Sequence, residues 1–286
     1  MNTLRIRPLC LLVGALVIAS AIPRTNADIV LYGSTGSANS SGGGRLYQID
    51  VTTQTVSLIG DTGFDRLGGI AFNSSGVLYG VSGGSSVQST LLTIDPTTGA
   101  ASVIGLVSDP NAAIDGLRFD AQDVLYGSAF RNDLGVGVLV TIDPSNADIL
   151  SSLTLMGSGN SFCAGIAFDP TGALYASRGN ASGRNEDLAL VNQTTGSLTA
   201  VGGLDTVLSD IVFDTNGTLY GSSPNGDLYS INSSTGAKTF LFNTGIAQFS
   251  GLAAPIPEPS VFVLFVFAAL GLFVVLRRNR LRSGAK

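Results

Sequence analysis

The sequence predicts an all-β protein: a five-bladed β-propeller closed by pairing of its N- and C-terminal strands, followed by one C-terminal transmembrane helix. Three observations predict it. A Leu-Tyr pair recurs at Leu31-Tyr32, Leu78-Tyr79, Leu125-Tyr126, Leu174-Tyr175 and Leu219-Tyr220, at spacings of 47, 47, 49 and 45 residues. Such a period suits one four-stranded blade. An apolar phrase precedes four of the five pairs. A run of sixteen apolar residues, Val261 to Leu276, lies near the C-terminus.

The phrase reads Gly69-Ile70-Ala71-Phe72, Gly116-Leu117-Arg118-Phe119, Gly165-Ile166-Ala167-Phe168 and Asp210-Ile211-Val212-Phe213. It supplies the first strand of a unit, and the Leu-Tyr pair starts the second. The third strand recurs as Leu46 to Asp50, Leu91 to Asp95, Leu139 to Asp143, Leu188 to Asn192 and Leu228 to Asn232. Turn residues follow, as in Asp95-Pro96-Thr97-Thr98-Gly99, and then a fourth β-rich run such as Ala101 to Ile104. Strand, turn, strand, loop, strand, turn, strand is an antiparallel meander. The first unit lacks its phrase, whereas Ser250-Gly251-Leu252-Ala253-Ala254 is a phrase without followers. The last strand is therefore expected to join the first three and close the ring, which protects the sheet edges.

Composition narrows the chemistry. Among 286 residues there are 37 Gly, no Trp and no His. Without His there is no Ser-His-Asp triad and no His metal ligand. Setting the two ends aside leaves seven basic residues against nineteen acidic ones in the body. Such a surface repels nucleic acid, so no nucleic-acid partner is expected. Of the two cysteines, Cys10 lies in the leader. Cys163 is then alone in the body, with no disulfide open to it, and reads as a small buried hydrophobe.

The ends read as addresses. Arg5 and Arg7 precede an apolar stretch, Leu9 to Ile22; Ala19 and Ala21 offer one cleavage site and Thr25 and Ala27 another, and a strand-like run from Ile29 favours cleavage after Ala27, with residues 1–27 as the signal peptide. The body is 28–254 and the tail 255–286. In the tail, Pro257-Glu258-Pro259 precedes the apolar run at 261–276 and a basic, cytoplasmic end at 277–286 holding Arg277, Arg278, Arg280 and Arg282. This order of parts resembles the PEP-CTERM sorting signal. The resemblance covers about the last thirty residues, and it implies processing near Pro257, Glu258 and Pro259 by an exosortase, a membrane-embedded cysteine transpeptidase. It further implies a Gram-negative-type bacterium that makes exopolysaccharide. The chain is thus expected to be exported, held at the membrane by its tail, and moved to the cell surface or matrix.

Several residues invite functional readings. Asn73, Asp120, Asp169 and Asp214 recur in register, as a ring of calcium ligands would. However, Asx first and Gly fourth, as in Asp169-Pro170-Thr171-Gly172, is the preference of a type I turn. The repeated tyrosines read as blade packing rather than a sugar platform. Better site candidates are Asp65, Arg66, Asp115 and Asp210, which stand at the entry to innermost strands, where a propeller's channel opens. Glu186, in the polar insertion Arg178 to Asp187, is the body's lone Glu.

The expected function is that of a non-catalytic surface or matrix protein with exopolysaccharide as its ligand. No cofactor is expected, with calcium the one candidate. The alternative is a carbohydrate-active or lactone-hydrolysing propeller enzyme that uses channel carboxylates.

Overall fold

A computed structural model describes residues 28–36, 43–84, 87–157, 162–179 and 187–255. They form a five-bladed β-propeller of twenty strands in five four-stranded antiparallel sheets. Blade 1 contains β1 (Val30–Thr35), β2 (Arg45–Asp50) and β3 (Thr55–Asp61). Blade 2 contains β4 (Ile70–Phe72), β5 (Leu78–Gly84), β6 (Val87–Ile94) and β7 (Ala101–Leu106). Blade 3 contains β8 (Ala112–Phe119), β9 (Leu125–Arg131), β10 (Val136–Ile142) and β11 (Ile149–Thr154). Blade 4 contains β12 (Phe162–Phe168), β13 (Leu174–Gly179), β14 (Asp187–Val191) and β15 (Leu198–Gly203). Blade 5 contains β16 (Asp210–Phe213), β17 (Leu219–Ser222), β18 (Asp227–Ile231) and β19 (Lys238–Asn243). The last strand, β20 (Phe249–Ala253), pairs with β1 through Tyr32 opposite Ala253 and Gly33 opposite Leu252, and completes blade 1.

Burial explains the sequence pattern. The innermost strands are covered on both faces, so β4 and β8 read as nearly unbroken apolar runs. The outer strands β3 and β7 hold only exposed and half-buried residues, and a register shift in their pairing interrupts the alternation.

Neighbouring blades are latched by the repeated aromatics. Four of the five Leu-Tyr tyrosines meet the phrase Phe of the next blade edge-on: Tyr32 with Phe72, Tyr79 with Phe119, Tyr126 with Phe168 and Tyr175 with Phe213, at centroid distances of 5.1, 5.1, 5.1 and 5.4 Å. Each contact contributes about 0.5–1.5 kcal/mol beyond its buried area. The phrase of β20 ends in Ala254 and offers no Phe. Tyr220 instead packs in the cluster of Leu31, Leu228 and Phe249 that seals the ring.

A second latch is polar. Ser34 Oγ accepts the Gly251 amide at 2.8 Å and donates to Gly68 O at 2.8 Å, bridging blades 1 and 2. Ser128 Oγ accepts the Gly116 amide at 3.1 Å and donates to Ala164 O at 3.2 Å, bridging blades 3 and 4. In blade 2 the equivalent residue is Val81, which has no hydroxyl. There the amide and carbonyl meet directly, with Gly69 N donating to Asp115 O at 2.6 Å. Ser128→Ala removes a bridge without allowing that closer approach. It is expected to cost about 1–3 kcal/mol by leaving buried groups unpaired, read as a lower denaturant midpoint at constant slope.

The recurring Asx residues cap turns. Asp169 Oδ1 accepts the amides of Thr171 and Ala173, and Asp120 Oδ1 those of Gln122 and Val124. Asn73 does the same for Ser75 and Val77.

The fold class needs one correction. A transmembrane helix was expected alongside the propeller, but the described residues hold strands only, and no helix among them is long and apolar enough to cross a membrane. Sixteen apolar residues give roughly 24 Å of helix, short of a ~30 Å hydrocarbon core. The fold is all-β. The leader at 1–27, the 261–276 run, the basic end and the Pro257-Glu258-Pro259 triplet lie outside the described residues, as does Glu186.

Candidate functional site at the channel mouth

The centre of the ring is closed by one side chain that the phrase does not otherwise contain. The position of Arg118 in β8 is held by Ala71, Ala167, Val212 and Ala253 in the other innermost strands. Its guanidinium donates to one carbonyl of each of those strands: Ile166 O at 2.9 Å, Leu252 O at 3.1 Å, Ile70 O at 3.5 Å and Ile211 O at 2.7 Å. A group that touches all five blades in this way lies on the propeller axis.

Its charge is balanced by Asp210, 3.3 Å away, with side chains only 10% and 1% exposed. Asp210 is the second departure from the repeat, standing where the others have Gly69, Gly116, Gly165 and Gly251. A Cβ on those glycines would come within 2.3–2.6 Å of neighbouring groups, mostly of the next blade. In blade 5 the carboxylate fills this gap towards blade 1 and accepts the amides of Leu252 and Ile211, both at 2.8 Å. Burial is the largest influence on Asp210 and pushes its carboxyl up to about 7 against the opposing pull of Arg118. Burial also lowers the Arg118 guanidinium.

Above this plug lies the mouth. Asp115 precedes Arg118 by three residues, roughly 10 Å along an extended strand. It sits at a register irregularity of β8, where Ile114 pairs Ala129 and Gly116 pairs Ser128 with Asp115 between them. A bulge of this kind re-aims its side chain. The equivalent positions in the other blades carry Gly68, Ala164, Ser209 and Ser250, all small, so Asp115 is the large polar group at this level. Arg66, from the loop before β4, donates to Asp115 Oδ1 at 2.7 Å. The Asp115 side chain keeps 21% exposure, yet burial still raises its carboxyl above the usual range, more strongly than Arg66 lowers it. Accessible but crowded is the condition of a group recessed in a concavity.

The four candidates therefore separate. Arg66 and Asp115 are brought together at the mouth. Asp65 is exposed and does not join them. Asp210 is sealed beneath, where it holds Arg118 rather than facing a ligand. Arg118 was missed, although its departure from the phrase marks it.

Other arginines stand at the same end of the blades: Arg131 pairs with Asp109 at 2.7 Å and with Asp133 at 2.8 Å, and Arg178 pairs with Asp187. Calcium takes six to eight oxygen ligands. Among the described residues no group of three Cys, Asp or Glu side chains could hold a metal, and Asp115 is engaged by Arg66.

Cys163 is fully buried, and burial pushes its thiol up to about 12. The native protein is expected to resist alkylation by iodoacetamide at pH 8, whereas the denaturant-unfolded chain reacts. Rapid labelling of the native protein would contradict that burial.

No protein-family model and no curated protein matches the sequence. Solved structures of similar fold include the periplasmic gluconolactonase of Pseudomonas aeruginosa, 11% identical over 81% of this chain and 100% of that one, with a TM-score of 0.48. A gluconolactonase from Xanthomonas campestris is 14% identical over 78% and 79% of the two chains, with a TM-score of 0.47. The PQQ-bound aldose sugar dehydrogenase of Streptomyces coelicolor is 14% identical over 77% and 84%, with a TM-score of 0.48. The expectation that the chain is not an enzyme is corrected on the chain's own residues: it rested on the missing His, and a missing His does not remove carboxylate chemistry. At these identities and scores, no particular activity or substrate passes from them to this chain.

Proposed function

We propose that the protein hydrolyses a lactone, the cyclic ester of a sugar acid, at the channel mouth. The observation that carries this reading is Asp115: recessed, accessible, raised in pKa and held by Arg66. A carboxylate whose pKa is raised towards neutrality is a stronger general base. In the proposed reaction Asp115 takes a proton from water as the water oxygen attacks the ester carbonyl carbon. Charge builds on the carbonyl oxygen, where the Arg66 guanidinium stabilises it. When the ring C–O bond breaks, the leaving oxygen takes the proton back from Asp115, and a hydroxy acid results. No His and no metal enters this sequence.

The similar folds named as gluconolactonases supply a first substrate for assay, gluconolactone, and no more. The test is ring opening in a pH-stat above the spontaneous rate. Because the base must be ionised, kcat/KM is expected to fall on the acid side with a midpoint above the ordinary carboxylate range. An acid limb at or below that range would contradict Asp115 as the base.

We propose in addition that the chain is exported and sorted through Pro257, Glu258 and Pro259 by an exosortase-type enzyme, which would bring this activity to sugars outside the cytoplasm.

A further inference from the structure

At the face opposite the mouth, one carboxylate is left unfinished. Asp214 Oδ1 caps its turn by accepting the amides of Asn216 at 2.9 Å and Thr218 at 2.8 Å. Its Oδ2 is buried and has no hydrogen-bond partner. The equivalent residues Asn73, Asp120 and Asp169 are only half-buried, so water serves their free atoms. Asp214 is 8% exposed. It lines a hollow of about 310 Å³ with Asp28, Ile29, Val30, Ala254 and Pro255. A buried carboxylate oxygen without a partner is costly, and its natural complement is a cationic nitrogen.

We propose that this cation is the α-ammonium of Asp28, created when the leader is removed after Ala27. In that step water adds its oxygen to the Ala27 carbonyl carbon and the C–N bond breaks. Ala27 leaves as a carboxylate, and the Asp28 nitrogen becomes an ammonium. Before cleavage this nitrogen is a neutral amide and brings no charge to Asp214. Afterwards it is a positive charge on a residue that lines the same hollow as Asp214. The neighbouring residue is already anchored, since Val51 N donates to Ile29 O at 2.8 Å and Ile29 N donates to Thr52 Oγ1 at 3.2 Å. The location matters because β1 begins at Val30 and β20 ends at Ala253, so the hollow adjoins the seam that closes the ring. Leader removal thus strengthens closure of the propeller. The inference is independent of the chemistry at the mouth.

Three forms of the chain from Asp28 to Lys286 test it: the free amine, the Nα-acetylated chain, and the free amine with Asp214→Asn. Asn preserves the turn, as Asn73 does in blade 2. At pH 6 the free-amine chain is expected to melt roughly 2–4 °C above the acetylated chain. The unfolded α-amine titrates at about 7.7–8.0, and a carboxylate partner raises it in the folded chain. The advantage is therefore complete below about pH 7.7 and is lost as pH rises through the higher folded value. Asp214→Asn is expected to abolish most of it. Equal melting of the free and acetylated chains at pH 6, or an unchanged difference in the Asp214→Asn background, overturns the proposal. N-terminal sequencing of the exported protein should begin at Asp28, and a start elsewhere overturns it too.

Discussion

Asp210→Ala is expected to destabilise the protein by about 3–5 kcal/mol, because removing one partner of a buried pair leaves the other charge uncompensated. Arg118 would keep its four carbonyl acceptors but lose its counter-ion on the axis. The Leu252 and Ile211 amides would lose their acceptor as well. Chemical denaturation at pH 8, where Asp210 is ionised, measures the loss. The double variant Arg118→Ala, Asp210→Gly restores the repeat's own residues at both places. It is expected to recover much of the stability, since replacing both members of a buried pair costs far less than breaking it. A double variant as unstable as the single one would show that the pair is not a unit. The pH dependence has a definite sign. The folded-state pKa of about 7 lies above the unfolded model value of 3.8, so the folded chain binds this proton more tightly. The proton-linked part of its contribution, separate from the ion pair measured at pH 8, is full below about pH 4 and is lost as pH rises to about 7. Asp210→Asn is expected to flatten that part of the stability profile.

Asp115→Asn is expected to lower kcat/KM by about 10²–10⁴-fold, the usual worth of a positioned general base. The isosteric amide can still accept a hydrogen bond from Arg66 but cannot take a proton from water. Asp115 retains exposure and its pairing partner lies in a loop, so the melting temperature is expected to change little. This contrast separates the two acids. On the proposed reading, the buried acid serves stability and the recessed one turnover. Arg66→Met should lower kcat as well, and by lifting an opposing charge it should raise the midpoint of the acid limb further. An Arg66→Met profile with an unmoved midpoint would argue that the two groups do not act together.

The blades were legible because the repeat is strong. The Leu-Tyr spacing, the apolar phrase and the Asx turns each map onto a strand or a turn, and the orphan phrase at Gly251 revealed the closure between β20 and β1. Local chemistry decides these features, so a single sequence shows them. The central plug was less legible. Arg118 and Asp210 are far apart in sequence, and each looks like an ordinary polar residue when read along the chain. Read across the blades, each replaces an uncharged residue of the innermost strand, two positions apart and with opposite charge, and that comparison would have paired them. The mouth was half legible. The entry position singled out Asp65, Arg66, Asp115 and Asp210 alike, but only the bulge at Asp115 and the reach of Arg66 show which two meet. The depth of a strand residue below the mouth depends on register, which spacing alone does not specify.

The most direct measurement is the rate of gluconolactone ring opening by the intact protein and by Asp115→Asn, side by side in a pH-stat near neutrality. The account expects a rate well above the spontaneous one for the intact protein and a loss of about 10²–10⁴-fold in the variant, with both proteins melting alike. Equal rates for the two proteins, or no rate above the spontaneous one for this and other sugar lactones, would contradict it.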